Sequence, residues 1–107
     1  RCEGMYCQAI SVRQLDEILD RGFDGMLVDV RNQPSYRHAH IRGAVNIPYE
    51  TFERGDGGLP KDKTLIFYCA RGGQSMKVCA RLSRQGFQTV NLVGGIDHYQ
   101  GRYLVRG

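Results

Sequence analysis

The chain has 107 residues, with 15 Lys and Arg against 11 Asp and Glu for a formal net charge of +4, which leaves room for one domain and no second core. Leu, Ile, Val and Phe make up about a quarter of it, above the ~20% floor under which disorder is the default, so it should fold. Its longest apolar stretch, Leu65 to Ala70, is far short of the ~18 residues of a membrane span, and its basic residues are scattered from Arg1 to Arg106 rather than gathered into the stripe of a nucleic-acid binder.

The mild positive balance favours small anions, which guanidinium groups grip in a planar, bidentate way. Four cysteines, Cys2, Cys7, Cys69 and Cys79, are too few and too unevenly placed for a disulfide scaffold. The chain begins at Arg1 rather than Met, so its native start is expected to lie upstream. Residues 1–8 are expected to be an arm or linker remnant, and residues 9–107 the domain. The expected setting is cytoplasmic.

Along the chain, short apolar runs alternate with helical ones, the pattern of βαβ units and a parallel sheet. Ala9-Ile10 reads as an edge strand. Ser11 with Gln14 three residues on is a capping box, and Leu15, Ile18 and Leu19 give the following helix one apolar side until Gly22 ends it. Met26 to Val30 reads as a buried strand, followed by a short helix containing Pro34. Ala44 to Ile47 is a further strand closed by Pro48, and residues 54–60 are a loop on composition. Thr64 to Tyr68, β-branched and aromatic without a breaker, is the strongest strand and the central one. After Gly72-Gly73, Ser75 is expected to cap a helix running to about Gln85, with Met76, Cys79, Ala80 and Leu82 inward and Gly86 as its C-cap. Thr89 to Val93 is the last strand, and Gly94-Gly95 opens a short final helix. The expected fold is α/β, an open and mostly parallel five-stranded sheet with helices on both faces.

The segment with chemistry in it is Tyr68-Cys69-Ala70-Arg71-Gly72-Gly73-Gln74-Ser75. Cysteine stands at the carboxyl end of the central strand, where open α/β sheets bind ligands. A Gly-rich turn follows and a helix begins, bringing unpaired N–H groups and the positive end of a dipole. Glycines let such a turn curl its amides inward as an anion nest. A sulfur at its centre is held as thiolate, with a pKa lowered from ~8.5 into a range of roughly 3.5–7.5, and thiolate is the nucleophile. The competing reading, a small buried hydrophobe, describes most free cysteines, but it does not account for the strand–turn–helix context.

Four segments together resemble the rhodanese (sulfurtransferase) family from Ile10 to Tyr99. Leu27-Val28-Asp29-Val30-Arg31 is similar to the family's strand-ending Asp-x-Arg. His40 to Pro48 is similar to its Gly-His-Ile-Pro-Gly-Ala-x-Asn-Ile-Pro signature. Cys69 to Ser75 resembles the active-site loop, and Leu92-Val93-Gly94-Gly95 with Tyr99 resembles the Gly-Gly segment before the last helix. The resemblance implies a rhodanese-like fold and a sulfane-sulfur carrier. Cys69 would take the outer sulfur of thiosulfate, a persulfide or a polysulfide as a cysteine persulfide, and a thiol or cyanide would remove it. Ala70, Arg71, Gly72, Gly73, Gln74 and Ser75 would bind the substrate, with Asp29 and Arg31 in support. Thiolate attack on an S–S bond needs a low-pKa sulfur and a cradle for the anion. The resemblance therefore implies no metal and no organic cofactor. The expected partners are a small anionic sulfur donor, a thiol or cyanide acceptor and an upstream domain, with no nucleic acid and no membrane. The alternative is a relay or regulatory module of a larger protein with little activity of its own.

The sequence departs from the family at several places. Gln74 stands where many relatives place an Arg, which predicts a poor grip on thiosulfate unless the Arg71 guanidinium takes over. Ser35 stands where a Glu commonly pairs with the arginine at 31, so that pair is expected to be absent. Ala39 replaces the usual Gly, Arg42 the usual Pro and Tyr99 the usual Trp. Asp29 and Arg31 are read as mainly structural, accepting and donating hydrogen bonds that tie down loops. His38, His40 and His98 invite a base or metal reading, but no orienting partner is in sight and the resemblance gives His40 a structural turn. Cys79 reads as core. Cys2 and Cys7 could supply a thiol that resolves a modified Cys69, against an incidental place in a tail.

Two rivals come from other classes. A tyrosine-type phosphatase shares the cysteine-loop-helix device but needs five residues between Cys and Arg; here that position is Ser75 and no arginine closes the loop. An inert adaptor would not need an intact Cys69.

Overall fold

The computed structural model describes residues 8–106. Five strands form one parallel sheet in the order β1-β6-β5-β2-β4: β1 is Gln8–Ile10, β2 Met26–Asp29, β4 Val45–Asn46, β5 Thr64–Tyr68 and β6 Gln88–Leu92. The expected architecture is present, with β5 in the middle. A second, two-stranded antiparallel sheet joins β3 (Ala39–Ile41) to β7 (Leu104–Arg106). Neither of its strands is predicted from the sequence. Three helices, α1 (Val12–Arg21), α2 (Gln33–His38) and α3 (Gly73–Arg84), and two 3-10 turns at Tyr49–Glu53 and Ile96–His98 make the connections. Among the described residues, no helix is long and apolar enough to cross a membrane.

The central strand divides its side chains between two cores, because successive residues of a strand point to opposite faces. Leu65, Phe67 and Cys69 join Val78, Cys79 and Leu82 of α3 together with Phe52 and Phe87. Ile66 and Tyr68 join Leu15 of α1 with Leu27, Ile41, Leu92 and Ile96. The sheet is thus covered by α3 on one face and α1 on the other, as a parallel sheet requires. The capping box forms as the sequence predicts: the Ser11 hydroxyl accepts from the Gln14 amide at 3.1 Å, and the Ser11 amide donates to Gln14 Oε1 at 2.8 Å.

Several expectations are corrected at the ends of elements. The strand expected at Ala44–Ile47 is only Val45–Asn46, although the Ile47 amide still reaches the Asp29 carbonyl at 3.0 Å. Gln88–Leu92 is not the last strand, since β7 follows it. His40 lies in β3, not in a turn. The N-cap of α3 lies three residues earlier than expected: it is Gly72, with φ 102°, and Ser75 is buried inside the first turn. The inward face also differs: Met76 is 55% exposed while Val78 is buried with Cys79 and Leu82. At the other end Gln85 is the C-cap, and Gly86 follows with φ 97°, a left-handed exit from the helix. Gln8, placed with the arm by the sequence, pairs with Val90.

Candidate active site

Strand β5 ends at Tyr68, and the chain must turn from the sheet edge into α3 within four residues. Gly72 makes the turn possible. Its backbone is left-handed, a region that costs an L-residue ~1–2 kcal/mol, and a Cβ there would sit 3.3 Å from the Gly94 nitrogen. The turn aims amides at one atom. Cys69 Sγ accepts the Gly72 N–H at 3.0 Å and the Ser75 N–H at 3.5 Å, and the Ser75 hydroxyl also lies at 3.5 Å. Cys69 is 4% exposed, so its sulfur lies at the floor of the loop, with the amides turned inward.

Burial is the largest influence on this thiol and pushes its pKa up, because a thiolate loses hydration. Hydrogen bonds from the Ser75 hydroxyl and the Ser75, Gly72 and Arg71 amides outweigh it, and the pKa ends below its ordinary value. The N-terminus of α3 adds positive potential along the same axis. An apolar cavity alone would have done the reverse. The arrangement therefore favours the ionised form of a sulfur at a strand–helix junction.

The loop is gripped from behind by the segment after β6. The Ile96 amide donates to the Cys69 carbonyl and the Asp97 amide to the Ala70 carbonyl, each at 3.0 Å. With those carbonyls held outward, the next amides face the sulfur. Gly95 makes the close approach possible: it has φ 64°, and any Cβ would collide with the carbonyls of Cys69 and Ala70. Thus the Gly94-Gly95 pair, read from sequence as a helix opener, also shapes the Cys69 loop.

The remaining expected site residues separate into groups. Gly73 and Gln74 stand exposed at the start of α3. The Arg71 side chain is 87% exposed and lies 3.8 Å from the Asp97 carboxylate, so its amide serves the sulfur while its guanidinium faces solvent. Asp29 and Arg31 form their own structure on the neighbouring strand end. Arg31 Nη2 donates to Asp29 Oδ2 at 2.6 Å and to the Ala39 carbonyl at 2.5 Å, and Nε donates to both Asp29 oxygens. Through the Ala39 carbonyl the pair fastens β3 to the main sheet. His40 Nδ1 meets the Tyr36 carbonyl at 3.0 Å, with its ring stacked on Tyr36. His98 Nδ1 meets the Gly94 carbonyl at 2.9 Å. Cys79 is buried in the α3 core, while Cys2 and Cys7 lie outside the described residues.

One residue beside the site is missed by the sequence reading. Asn91, on β6 between Val90 and Leu92, is buried and meets Ser75 Oγ through its Oδ1 at 2.5 Å. Its Nδ2 donates to the Gly72 carbonyl at 3.4 Å. A lone amide inside an apolar strand is the available signal, since buried polar groups require partners.

The family described as Rhodanese-like domain matches residues 11–102, and the chain belongs to it. Among similar proteins, the putative sulfurtransferase YtwF of Bacillus subtilis is 35% identical over 97 residues, covering 91% of this chain and 94% of that protein. The thiosulfate sulfurtransferase GlpE of Coxiella burnetii is 31% identical over 81 residues, covering 75% and 76%. The probable adenylyltransferase/sulfurtransferase MoeZ of Mycobacterium tuberculosis is 38% identical over 90 residues, which are 81% of this chain but 23% of that protein. A crystal structure of a rhodanese-like domain protein from Staphylococcus aureus superposes with a TM-score of 0.82 at 26% identity, covering 94% and 98% of the two chains.

Proposed function

We propose that the protein is a sulfurtransferase that carries sulfane sulfur as a persulfide on Cys69. The supporting observation is the convergence of the Gly72 and Ser75 amides and the Ser75 hydroxyl on Cys69 Sγ; relatives named as sulfurtransferases agree with it. The thiolate attacks the outer sulfur of the donor, forming the Cys69 S–S bond as the donor's S–S bond breaks. The donor's other fragment leaves with the electron pair, as sulfite from thiosulfate or as thiolate from a persulfide. A thiolate or cyanide then attacks the outer sulfur, releasing a persulfide or thiocyanate and restoring the Cys69 thiolate. Neither step calls for a metal or an organic cofactor.

The donor follows from the charges around the loop. A sulfonate would need a guanidinium clamp, yet Gln74 occupies the usual arginine position and the Arg71 side chain faces solvent beside Asp97. A persulfide or polysulfide donor is therefore preferred over thiosulfate. Steady-state transfer from glutathione persulfide to cyanide should give the parallel double-reciprocal lines of a two-step exchange, with a higher kcat/KM than thiosulfate gives. Cys69→Ser should be inactive; native-level turnover by that variant overturns the proposal. The MoeZ match, in which the similar region is 23% of a longer protein, favours a second reading: a relay module that takes sulfur from, or passes it to, a neighbouring domain by the same Cys69 chemistry.

A further inference from the structure

The Ser75 hydroxyl has one proton and three acceptors within reach. Asn91 Oδ1 lies at 2.5 Å, the Gly72 carbonyl at 3.2 Å and Cys69 Sγ at 3.5 Å. A serine hydroxyl donates once, so these contacts compete. Ser75 and Asn91 are both buried, and the contest is settled among protein atoms with little help from water. The Asn91 amide is anchored at its other end on the Gly72 carbonyl, the residue whose N–H holds the sulfur. One side chain on β6 thereby touches both the turn and the hydroxyl that serve Cys69.

We propose that Asn91 is a positioning residue that competes with the Cys69 sulfur for the Ser75 proton, and so sets how far the thiol ionises. While Cys69 is a thiol, the Ser75 proton rests on Asn91 Oδ1 and Ser75 Oγ can accept the S–H. When the sulfur gives up its proton to solvent, a small rotation of the hydroxyl brings the Ser75 proton onto the thiolate, at the cost of the bond to Asn91. No covalent bond other than S–H changes. The competition tempers the loop: a sulfur held by three amides and a hydroxyl contested only by the Gly72 carbonyl would ionise more readily but attack more weakly, because nucleophilicity falls as thiol pKa falls. Asn91 keeps the sulfur reactive as well as ionised.

The proposal deepens the sulfurtransferase reading and rests on it for its purpose, but its test does not use sulfur transfer. The pH midpoint of Cys69 alkylation by iodoacetamide would be followed by peptide mass spectrometry in the full chain, which separates Cys69 from the other cysteines. Asn91→Leu keeps the branched shape and removes the acceptor, and should lower the midpoint. Asn91→Asp keeps the shape and strengthens the acceptor. The decisive measurement is the effect of Ser75→Ala in each background. In the native chain it should raise the midpoint by about one pH unit, the worth of a hydrogen bond to a charged group. In Asn91→Leu the rise should be larger, and in Asn91→Asp it should vanish because the carboxylate holds the proton throughout. The direct effect of the added charge cancels in that comparison. Equal rises in all three backgrounds overturn the proposal, and the native and Asn91→Asp pair suffices if Asn91→Leu does not fold. Should Cys69 take no sulfur while the midpoints move as described, the sulfurtransferase reading fails and the proton competition stands.

Discussion

At the scale of single residues, two opposed influences meet on one sulfur: burial, which favours the thiol, and a set of hydrogen bonds, which favours the thiolate and prevails. The sign of the pH dependence follows. Since the Cys69 pKa lies below its ordinary value, sulfur uptake should rise with pH through a midpoint below that of a free cysteine and level off above it. A stopped-flow pH profile with a persulfide donor checks this, and a midpoint at or above that value would mean that burial prevails. Gly95→Ala should be more damaging than its size suggests, because the new methyl meets the Cys69 and Ala70 carbonyls and the backbone there is left-handed. Strain of this kind costs of order 1–3 kcal/mol. Urea denaturation should register the loss, and the displaced loop should raise the Cys69 alkylation midpoint. Cys69 and its loop are legible from sequence because strand, glycine turn and helix follow each other without interruption. Asn91 is not, because its partners Ser75 and Gly72 belong to another element and only the folded sheet brings them together.

At the scale of elements, how readily each was read follows how local its causes are. The capping box and apolar face of α1 lie within its own turns, and β5 carries its signal in five consecutive residues. Strands β3 and β7 have three residues each and exist only as partners from distant parts of the chain. Met76 lies off the buried face of α3, which runs through Ser75, Val78, Cys79 and Leu82; Ser75 resembles a cap in the sequence, whereas the cap is Gly72, which has no side chain to signal it. The small sheet is tied to the large one by Tyr68, whose hydroxyl accepts the buried Ile41 amide at 3.0 Å. Burial first, and the charge of Asp29 next, hold that phenol protonated well above its ordinary range. Tyr68→Phe should therefore cost about 1–3 kcal/mol by leaving an amide unpaired. Hydrogen exchange should locate the loosening at β3 and β7, leaving β5 protected. Leu82→Ala, on the core face of α3, should cost about 2–5 kcal/mol in the same denaturation assay.

For the whole molecule, the order β1-β6-β5-β2-β4 places the richest strand at the centre, and Cys69 follows at the carboxyl end of that strand. Strand ends in open α/β sheets gather ligands for this reason: loops leave the sheet there and helices present their N-termini. Asp29 and Arg31 on the next strand brace the same edge by joining the small sheet to it, and the Gly94-Gly95 segment closes the loop from β6. Strands β5 and β6 thus shape the surroundings of one sulfur, and only the part played by β5 is apparent from local sequence. The most direct test of the account is the mass of tryptic peptides after the full chain meets glutathione persulfide. The account predicts a gain of ~32 Da, one sulfur, on the Cys69 peptide, removed by cyanide and absent from Cys69→Ser. Sulfur that appears equally on the Cys69→Ser protein, or that never reaches Cys69 in the native one, would contradict it.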